Sequence, residues 1–185
     1  MGSEQPREGR EFAVLVPVVA VGGADHILFT KRPERPEDHY SGQICFPGGA
    51  REAVDTTLAE CALRETREEL GVPGSRVEIF AELGWHRTSI HDRVKPFAGR
   101  FAPGLPLRLN PDEVEKVLFL PVSRLSRELF ELRGIWQGPD GEEHRILRFD
   151  LEGHEVWGLT ARILHDFWVE SAEFRAEATR GGATD

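Results

Sequence analysis

The chain has 185 residues, of which 39% are hydrophobic and 30% are charged, a composition typical of one soluble globular domain with a sizeable core. Its net charge of −9 argues against broad binding to nucleic-acid backbones, since proteins that bind them neutralise phosphates with basic patches. An apolar run of about 18 residues and an N-terminal signal pattern are both absent from the sequence, which predicts a cytoplasmic protein without membrane contact.

The first two elements are predicted to form a hairpin. Residues 12–21 are almost entirely apolar and predict a buried strand, in which Pro17 indicates a sheet edge or a bulge because proline lacks a backbone donor. Residues 26–31 predict a second strand that pairs with the first across a glycine-rich turn. Residues 33–41 contain prolines and several charges, and they predict a surface loop.

A helix is predicted at residues 56–70. Asp55 is a suitable N-cap, since its carboxylate can accept a hydrogen bond from a free backbone amide of the first turn. Gly71 occupies the usual left-handed capping position at the other end. One side of the helix is apolar and is expected to pack on a sheet. With only two cysteines in the chain, Cys45 and Cys61, a disulfide framework is not expected, and both are assigned structural roles.

The other side of this helix is strongly acidic. Residues three and four apart face one another on a helix, which brings Glu65, Glu68 and Glu69 to adjoining positions. Their mutual repulsion costs stability, and Arg64, four residues before Glu68, offsets only part of it. Hard cations such as Mg²⁺ bind oxygen ligands and are commonly shared between carboxylates and substrate phosphates. The pattern therefore predicts a metal site on this side of the helix.

A glycine-rich turn precedes the helix. Gly48 and Gly49 allow the backbone to approach a ligand or metal closely, and Pro47 stiffens the entry to the turn. An ordinary solvated helix whose charges cluster by chance is the alternative interpretation. That alternative does not explain why the glycine turn and the acidic side occur together.

Two further strands are predicted at residues 77–83 and 94–101, separated by a polar turn that is rich in histidine. A metal-binding role for His86 and His91 in this turn is one interpretation. Their spacing matches no helical pair of ligands, and neutral imidazole is a poor ligand for Mg²⁺. We therefore do not assign them to the metal site.

The last third of the chain mixes strands and helices. Residues 117–122 predict a strand, and the leucine spacing within residues 123–132 predicts a short helix. Residues 135–136 and 145–151 predict a hairpin around a turn with two glycines. Residues 163–174 continue an amphipathic final helix.

The end of the acidic helix carries a known signature. Residues 64–72 read RETREELGV, which matches a motif of Arg-Glu, two residues, Glu-Glu, one residue, Gly and an apolar residue. Through this motif the chain resembles the Nudix hydrolases. The front of the general signature differs. After Gly49 and five further residues the signature has Glu, where this chain has Asp55, and eight residues rather than seven separate that acid from Arg64.

This longer spacing resembles one branch of the family, the coenzyme A diphosphatases. The branch shares the FPGG motif of residues 46–49, the acids at Glu52 and Asp55, and the ALRE run of residues 62–65. Three further segments also resemble it, at residues 28–32, 39–44 and 157–161. Two departures occur: the segment from residue 32 to 42 is one residue longer than usual, and Pro33 replaces a small hydroxyl residue.

The resemblance implies an α/β fold, the Nudix-type α/β/α sandwich with a central mixed β-sheet, and the alternation of predicted strands and helices agrees with it. It covers roughly residues 12–174. We therefore expect a single Nudix hydrolase domain at residues 11–174, between a flexible N-terminus at residues 1–10 and a flexible C-terminal tail at residues 175–185.

The resemblance also implies a metal site. Glu65, Glu68, Glu69 and the carbonyl group of Gly48 are expected to hold Mg²⁺ or Mn²⁺, with Arg64 orienting Glu68.

The general base is left open between two residues. Glu65 is the nearest candidate on the helix, and Glu113 is the alternative, since its segment resembles the family's pattern of Asn followed by Glu-Val. Glu115 is the second choice in that segment.

The implied substrate is coenzyme A or an acyl derivative, with Lys31, Arg32 and Gly49 as candidate substrate-binding residues. A Nudix hydrolase of nucleotide sugars, dinucleotides or damaged nucleoside triphosphates is the alternative enzyme. A non-catalytic nucleotide-binding module is a third interpretation, which the retained carboxylates disfavour. A homodimer is left open as the oligomeric state.

Overall fold

The computed structural model describes residues 9–37, 41–88, 92–138, 141 and 143–171. In chain order, the strands are β1 (Glu11–Val21), β2 (Ala24–Lys31), β3 (Ile44–Cys45), β4 (Gly48–Ala50), β5 (Val77–Glu82), β6 (His86–Arg87), β7 (Arg93–Phe101), β8 (Lys116–Pro121), β9 (Glu131–Gln137), β10 (Glu143–Leu151) and β11 (His154–Trp157). The helices are α1 (Leu58–Leu70) and α2 (Gly158–Glu170). Neither helix in this described part is long and apolar enough to cross a membrane.

Eight strands form one mixed sheet. Its main path is β3-β2-β1-β7-β5, while β4, β6 and β8 pair with β1, β7 and β2 respectively. The central pair, β1 and β7, runs parallel, and the other described pairs of this sheet are antiparallel. A separate antiparallel sheet has the order β11-β10-β9. The predicted α/β fold with a central mixed sheet is confirmed.

The core lies on both faces of β1. Successive side chains of a strand point to opposite faces, so Ala13 and Leu15 pack in the cluster that contains α1, whereas Val16 and Val18 pack in the cluster that contains α2. Burial on both faces explains the continuous apolar run of this segment. Both cysteines are free thiols, as predicted, and Cys61 belongs to the α1 side of the core.

Pro17 lies in this interior strand, so the predicted sheet edge is wrong. It separates the part of β1 that pairs with β4, residues 12–14, from the part that pairs with β2, residues 18–21. On the edge of β1 that faces β4 and β2, the amide of Leu15 donates to the carbonyl of Pro47 at 2.9 Å. Amides alternate in direction along a strand, so the position of Pro17 faces the gap where β1 changes partners, and no ladder hydrogen bond is lost there.

The acidic helix begins two residues later than predicted, at Leu58, and its N-cap is Thr57 rather than Asp55. The Thr57 hydroxyl accepts a hydrogen bond from the Glu60 amide, and the Glu60 carboxylate accepts one from the Thr57 amide, each at 3.1 Å. This reciprocal capping box satisfies two donors that the helix itself leaves free. Gly71 ends the helix as predicted, with a left-handed φ of 69°.

The short helix predicted at residues 123–132 is wrong. Two 3₁₀ turns, Val122–Arg124 and Arg127–Leu129, occupy this segment, and β9 follows them. Leu125 is 2% exposed whereas Leu132 is 60% exposed, so the leucines do not share the one buried face that an amphipathic helix requires. The hairpin predicted next is confirmed as β9 and β10.

Some predictions fall on residues outside the described part of the chain. They concern the N-terminus up to residue 8, part of the loop and coenzyme A segment at residues 38–40, His91, and residues 172–185 with the last turn of the predicted final helix and the tail. That helix, α2, is described from Gly158 to Glu170.

Candidate active site

Three carboxylates from two parts of the chain come together. Glu65 and Glu69 lie on α1, and Glu113 lies in the loop before β8. Each offers one oxygen atom, and these three oxygens lie within 4.8 Å of one another. An oxygen-only set of donors suits a hard divalent cation such as Mg²⁺. The structure therefore joins two of the predicted metal ligands with the alternative candidate for the base.

Backbone hydrogen bonds hold the Glu113 loop against the end of α1. The amide of Arg108 donates to the carbonyl of Leu70 at 2.8 Å, and the amide of Asn110 donates to the carbonyl of Glu69 at 2.9 Å. Asn110 then begins a tight turn, in which its side-chain amide donates to Glu113 Oε1 at 3.3 Å. The last carbonyls of a helix have no partner within it, so the contacts that complete α1 also place Glu113 beside the two helical carboxylates.

The cluster is electrostatically unfavourable as three free anions. Burial raises the pKa of Glu69 to about 8, and the negative charges of Glu113 and Glu65 add to this effect, while a hydrogen bond from the Gly48 amide opposes it. Burial also raises the pKa of Glu65. A divalent cation among these oxygens would offset the repulsion, because it would be the largest local charge.

Two glycines allow the backbone to approach the carboxylates. The amide of Gly48 donates to Glu69 Oε1 at 3.1 Å. A Cβ atom on Gly48 would lie 2.3 Å from the carbonyl oxygen of Ala13, and a Cβ atom on Gly49 would lie 2.4 Å from Glu65 Oε1. Backbone atoms surround Gly48, which also has a φ of 155°, so only glycine fits there, whereas a side chain at position 49 would displace the Glu65 carboxylate.

Arg64 ties the helix to the loop before it. Its Nε and Nη2 atoms donate to the two oxygens of Asp55 at 2.9 and 3.0 Å, and Nη2 also donates to the carbonyl of Ala50 at 3.1 Å. Its Nη1 atom lies 2.9 Å from Glu65 Oε1 and 3.0 Å from Glu68 Oε2. The predicted contact with Glu68 is present, but Glu68 is not in the three-oxygen group found among the described residues. The bidentate pair explains why Asp55 does not cap the helix.

The predicted substrate-binding cations differ in their contacts. Lys31 Nζ donates to Glu115 at 2.7 Å and to Glu34 at 3.3 Å, and the hydrogen bond to Glu115 raises the pKa of the lysine. Glu115 is therefore bound to a lysine and not to the carboxylate cluster. Arg32 acts on the cluster itself, because its positive charge opposes part of the rise in the pKa of Glu69.

His86 has a structural position away from the carboxylates. Its side chain is buried, and its Nδ1 atom accepts a hydrogen bond from Arg162 Nε at 3.1 Å. Burial, followed by the positive charge of Arg162, lowers the pKa of His86 to about 4, which keeps the ring neutral at physiological pH. The pair links β6 to α2.

A cavity that the sequence did not predict is lined in part by the segment that leads to Gly48. Its volume is about 380 Å³, and it is lined by Gln43, Cys45, Trp136, Arg145 and Trp157 among others. Cys45 is three residues before Gly48, and the charge of Glu69 adds to the rise in the thiol pKa that burial causes. The lining comes from separate segments, so no local sequence pattern could have indicated it.

The fold and the carboxylate cluster together define a class of protein: an α/β domain in which an acidic helix after a glycine turn offers an oxygen-only site to a divalent cation. The NUDIX domain family model matches residues 10–149. The chain belongs to the Nudix hydrolase family.

Known proteins resemble the chain in sequence and in fold. It is 34% identical over 157 residues to the uncharacterized Nudix hydrolase NudL of Photorhabdus laumondii, covering 84% of this chain and 82% of the relative. It is also 34% identical over 161 residues to NudL of Salmonella paratyphi B, covering 87% and 82%.

Two solved structures share the fold at 17% identity. A Nudix hydrolase from Nitrosomonas europaea aligns with a TM-score of 0.57, covering 90% of this chain and 74% of that one. The Nudix hydrolase RenU from M. smegmatis aligns with a TM-score of 0.56, covering 91% and 86%.

The link between Asp55 and Arg64 predicts an acid-dependent stability. The hydrogen bond from Arg64 lowers the pKa of Asp55 from 3.8 to about 2, so the ionised carboxylate stabilises the fold by about 2 kcal/mol. This contribution is fully present above about pH 4 and is lost as the pH falls through about 2. In urea unfolding, Asp55→Asn should lower the free energy of unfolding by about 2 kcal/mol at neutral pH, and the difference from wild type should shrink in that acidic range.

Glu52→Gln is the matched control, since it removes an exposed carboxylate from the same loop and leaves the Asp55–Arg64 pair in place. Equal destabilisation by both substitutions, or a difference for Asp55→Asn that does not change with pH, would contradict the assignment.

Proposed function

We propose that the protein hydrolyses the pyrophosphate bond of coenzyme A, or of its acyl or oxidised derivatives, to 3′,5′-ADP and 4′-phosphopantetheine compounds. The proposal is carried by the cavity of about 380 Å³, which is lined by Gln43 and by residues 157–160. These residues belong to two of the segments that resemble coenzyme A diphosphatases, and they lie far apart in the sequence. Their meeting in one cavity supports a shared role in substrate binding.

The cluster fits Mg²⁺ or Mn²⁺. Its donors are all oxygens, the pKa of Glu69 is raised, and the missing side chain of Gly49 leaves room beside Glu65. Glu65, Glu69 and the Gly48 carbonyl would hold the cation, and Glu68 would join them by turning away from Arg64. A bound cation supplies positive charge beside the phosphate oxygens, where hydrolysis builds negative charge.

Side chains of the protein activate the water and orient the groups that react. Water adds across the phosphoanhydride bond, one phosphate receives the hydroxyl group, and the other leaves as a phosphate monoester. We assign the removal of the water proton to Glu113, because Glu65 would bind the cation and its Oε1 atom is already held by Arg64 at 2.9 Å. Arg64 keeps Glu65 oriented, and Arg32 adds positive charge at the site.

The substrate is tested with a panel. The purified protein should hydrolyse coenzyme A with a higher kcat/KM than nucleotide sugars, dinucleotides or oxidised nucleoside triphosphates, with 3′,5′-ADP identified by chromatography. Activity should require Mg²⁺ or Mn²⁺ and disappear with a chelator. Faster turnover of another member of the panel would exclude coenzyme A as the preferred substrate.

Glu69→Gln tests the metal site. The amide keeps the shape of the side chain but removes its charge, so turnover should fall by orders of magnitude and the affinity for Mn²⁺ in calorimetry should fall with it. Glu78→Gln, on an exposed position of β5, is the control and should change neither quantity. Wild-type affinity and turnover in Glu69→Gln would place the metal elsewhere.

Glu113→Gln tests the base. Loss of a general base typically costs about 10²- to 10⁴-fold in kcat, and the acidic limb of the pH profile of kcat should disappear with it. Mn²⁺ affinity should weaken less than in Glu69→Gln. If Glu65→Gln removes that limb and Glu113→Gln does not, the base is Glu65.

A further inference from the structure

One cavity of this acidic protein is lined by several positive side chains. The described residues that line the cavity of about 380 Å³ include Arg87, Arg145 and Arg162, and no carboxylate is among them. A second cavity of about 390 Å³ shares Arg87, His144 and Arg162 with the first, so the two adjoin. Against a net charge of −9, this concentration of arginines favours an anionic ligand.

The first cavity also has aromatic walls. Trp136 stacks on His144 with ring centroids 5.1 Å apart and planes 27° apart. Trp157 lies at the start of α2 and is 46% exposed although it is large and apolar. Flat aromatic faces beside a cation are the chemistry that binds a nucleobase, since base stacking tolerates any heterocycle. The volume falls within the usual range for small-molecule sites, roughly 300 to 1,000 Å³.

The arginines have different contacts. Arg162 is held in place, because its Nε atom donates to His86 at 3.1 Å and its Nη2 atom donates to the carbonyl of Arg87 at 2.9 Å. Arg145 lies on an exposed position of β10, and within the described part of the chain its guanidinium forms no hydrogen bond or ion pair. Arginine binds phosphate through paired donors, so Arg145 is the cation of this cavity that is available to a phosphate.

We propose that this cavity binds a nucleoside 3′-phosphate, the 3′-phosphoadenosine half of the substrate, with the base on Trp157 and Trp136 and the ribose 3′-phosphate on Arg145. The inference rests on the proposed hydrolysis of coenzyme A and names the half of that substrate which occupies the cavity. The other half, a pantetheine arm, is uncharged and has no aromatic ring, so neither the arginines nor the tryptophans match it.

The test compares ligands that differ only in the 3′-phosphate. Wild type should hydrolyse coenzyme A with a kcat/KM about tenfold or more above that for dephospho-coenzyme A, because a charge-assisted hydrogen bond typically contributes that factor. Arg145→Gln should remove this preference by raising the KM for coenzyme A, while kcat and the constants for dephospho-coenzyme A stay unchanged.

Arg148→Gln is the matched control, since it removes the same charge from the same strand. Arg148 pairs with Glu131 and Glu155 and does not line either cavity. It should keep the preference for the 3′-phosphate.

Calorimetric binding of 3′,5′-ADP and 5′-AMP tests the subsite without turnover. Wild type should bind 3′,5′-ADP more tightly, and Arg145→Gln should bind both equally. Trp157→Leu should weaken both ligands roughly tenfold, because it removes a stacking face, whereas Trp157→Phe should retain most of the affinity. Unchanged binding of both ligands by Trp157→Leu would overturn the position of the base.

The outcomes separate this inference from the proposed function. If coenzyme A and dephospho-coenzyme A are hydrolysed equally well and Arg145→Gln changes neither, the subsite is overturned and the hydrolase function stands. If wild type hydrolyses neither compound, the proposed function fails, and the calorimetric comparison alone decides the subsite. In that case equal affinity of wild type for 3′,5′-ADP and 5′-AMP overturns it.

Discussion

The bidentate pair between Arg64 and Asp55 is the interaction on which the rest of the site depends. It joins the acidic helix to the loop that follows the glycine turn, and both side chains are almost completely removed from solvent. A buried charge without its partner is costly, so this pair can form only when helix and loop are both in place. The same guanidinium then reaches Glu65, which fixes one carboxylate of the cluster. One residue thus supplies a structural ion pair and orients a carboxylate of the cluster.

The carboxylate cluster illustrates how a protein maintains an arrangement that is unfavourable by itself. Glu65 and Glu69 are placed close together by helical geometry, and the capping of α1 by the Asn110 segment adds Glu113. Burial, together with repulsion from Glu113 and Glu65, raises the pKa of Glu69 to about 8, which is a cost to the fold without a cation. The glycine turn lowers part of that cost, because the Gly48 amide donates to Glu69. Residues that prepare a site for a positive charge commonly reduce stability in its absence.

Local signals in the sequence predicted the elements well, and tertiary contacts explain where they failed. The apolar run of β1, the acidic helix and its glycine end are local patterns, and the structure contains all of them. Asp55 has the chemistry of an N-cap, but a distant arginine competes for its carboxylate, which no local pattern reveals. The leucines at 125 and 132 have helical spacing, yet one is buried and the other exposed. The aromatic cavity could not be predicted, because its walls come from five separate segments.

The carboxylate cluster and the cavity are built by different parts of this fold. The helix α1 and the loop before β8 provide the carboxylates, whereas β9, β10 and the start of α2 provide most of the cavity. The segment from Gln43 to Gly48 connects the two, since Gln43 and Cys45 line the cavity and Gly48 contacts Glu69. Under the proposed function, a phosphoanhydride that spans this segment has its reacting phosphates near the acidic side and its remaining groups near the arginines. Under the same proposal, changes in the three-stranded sheet alter the choice of substrate without disturbing the acidic helix.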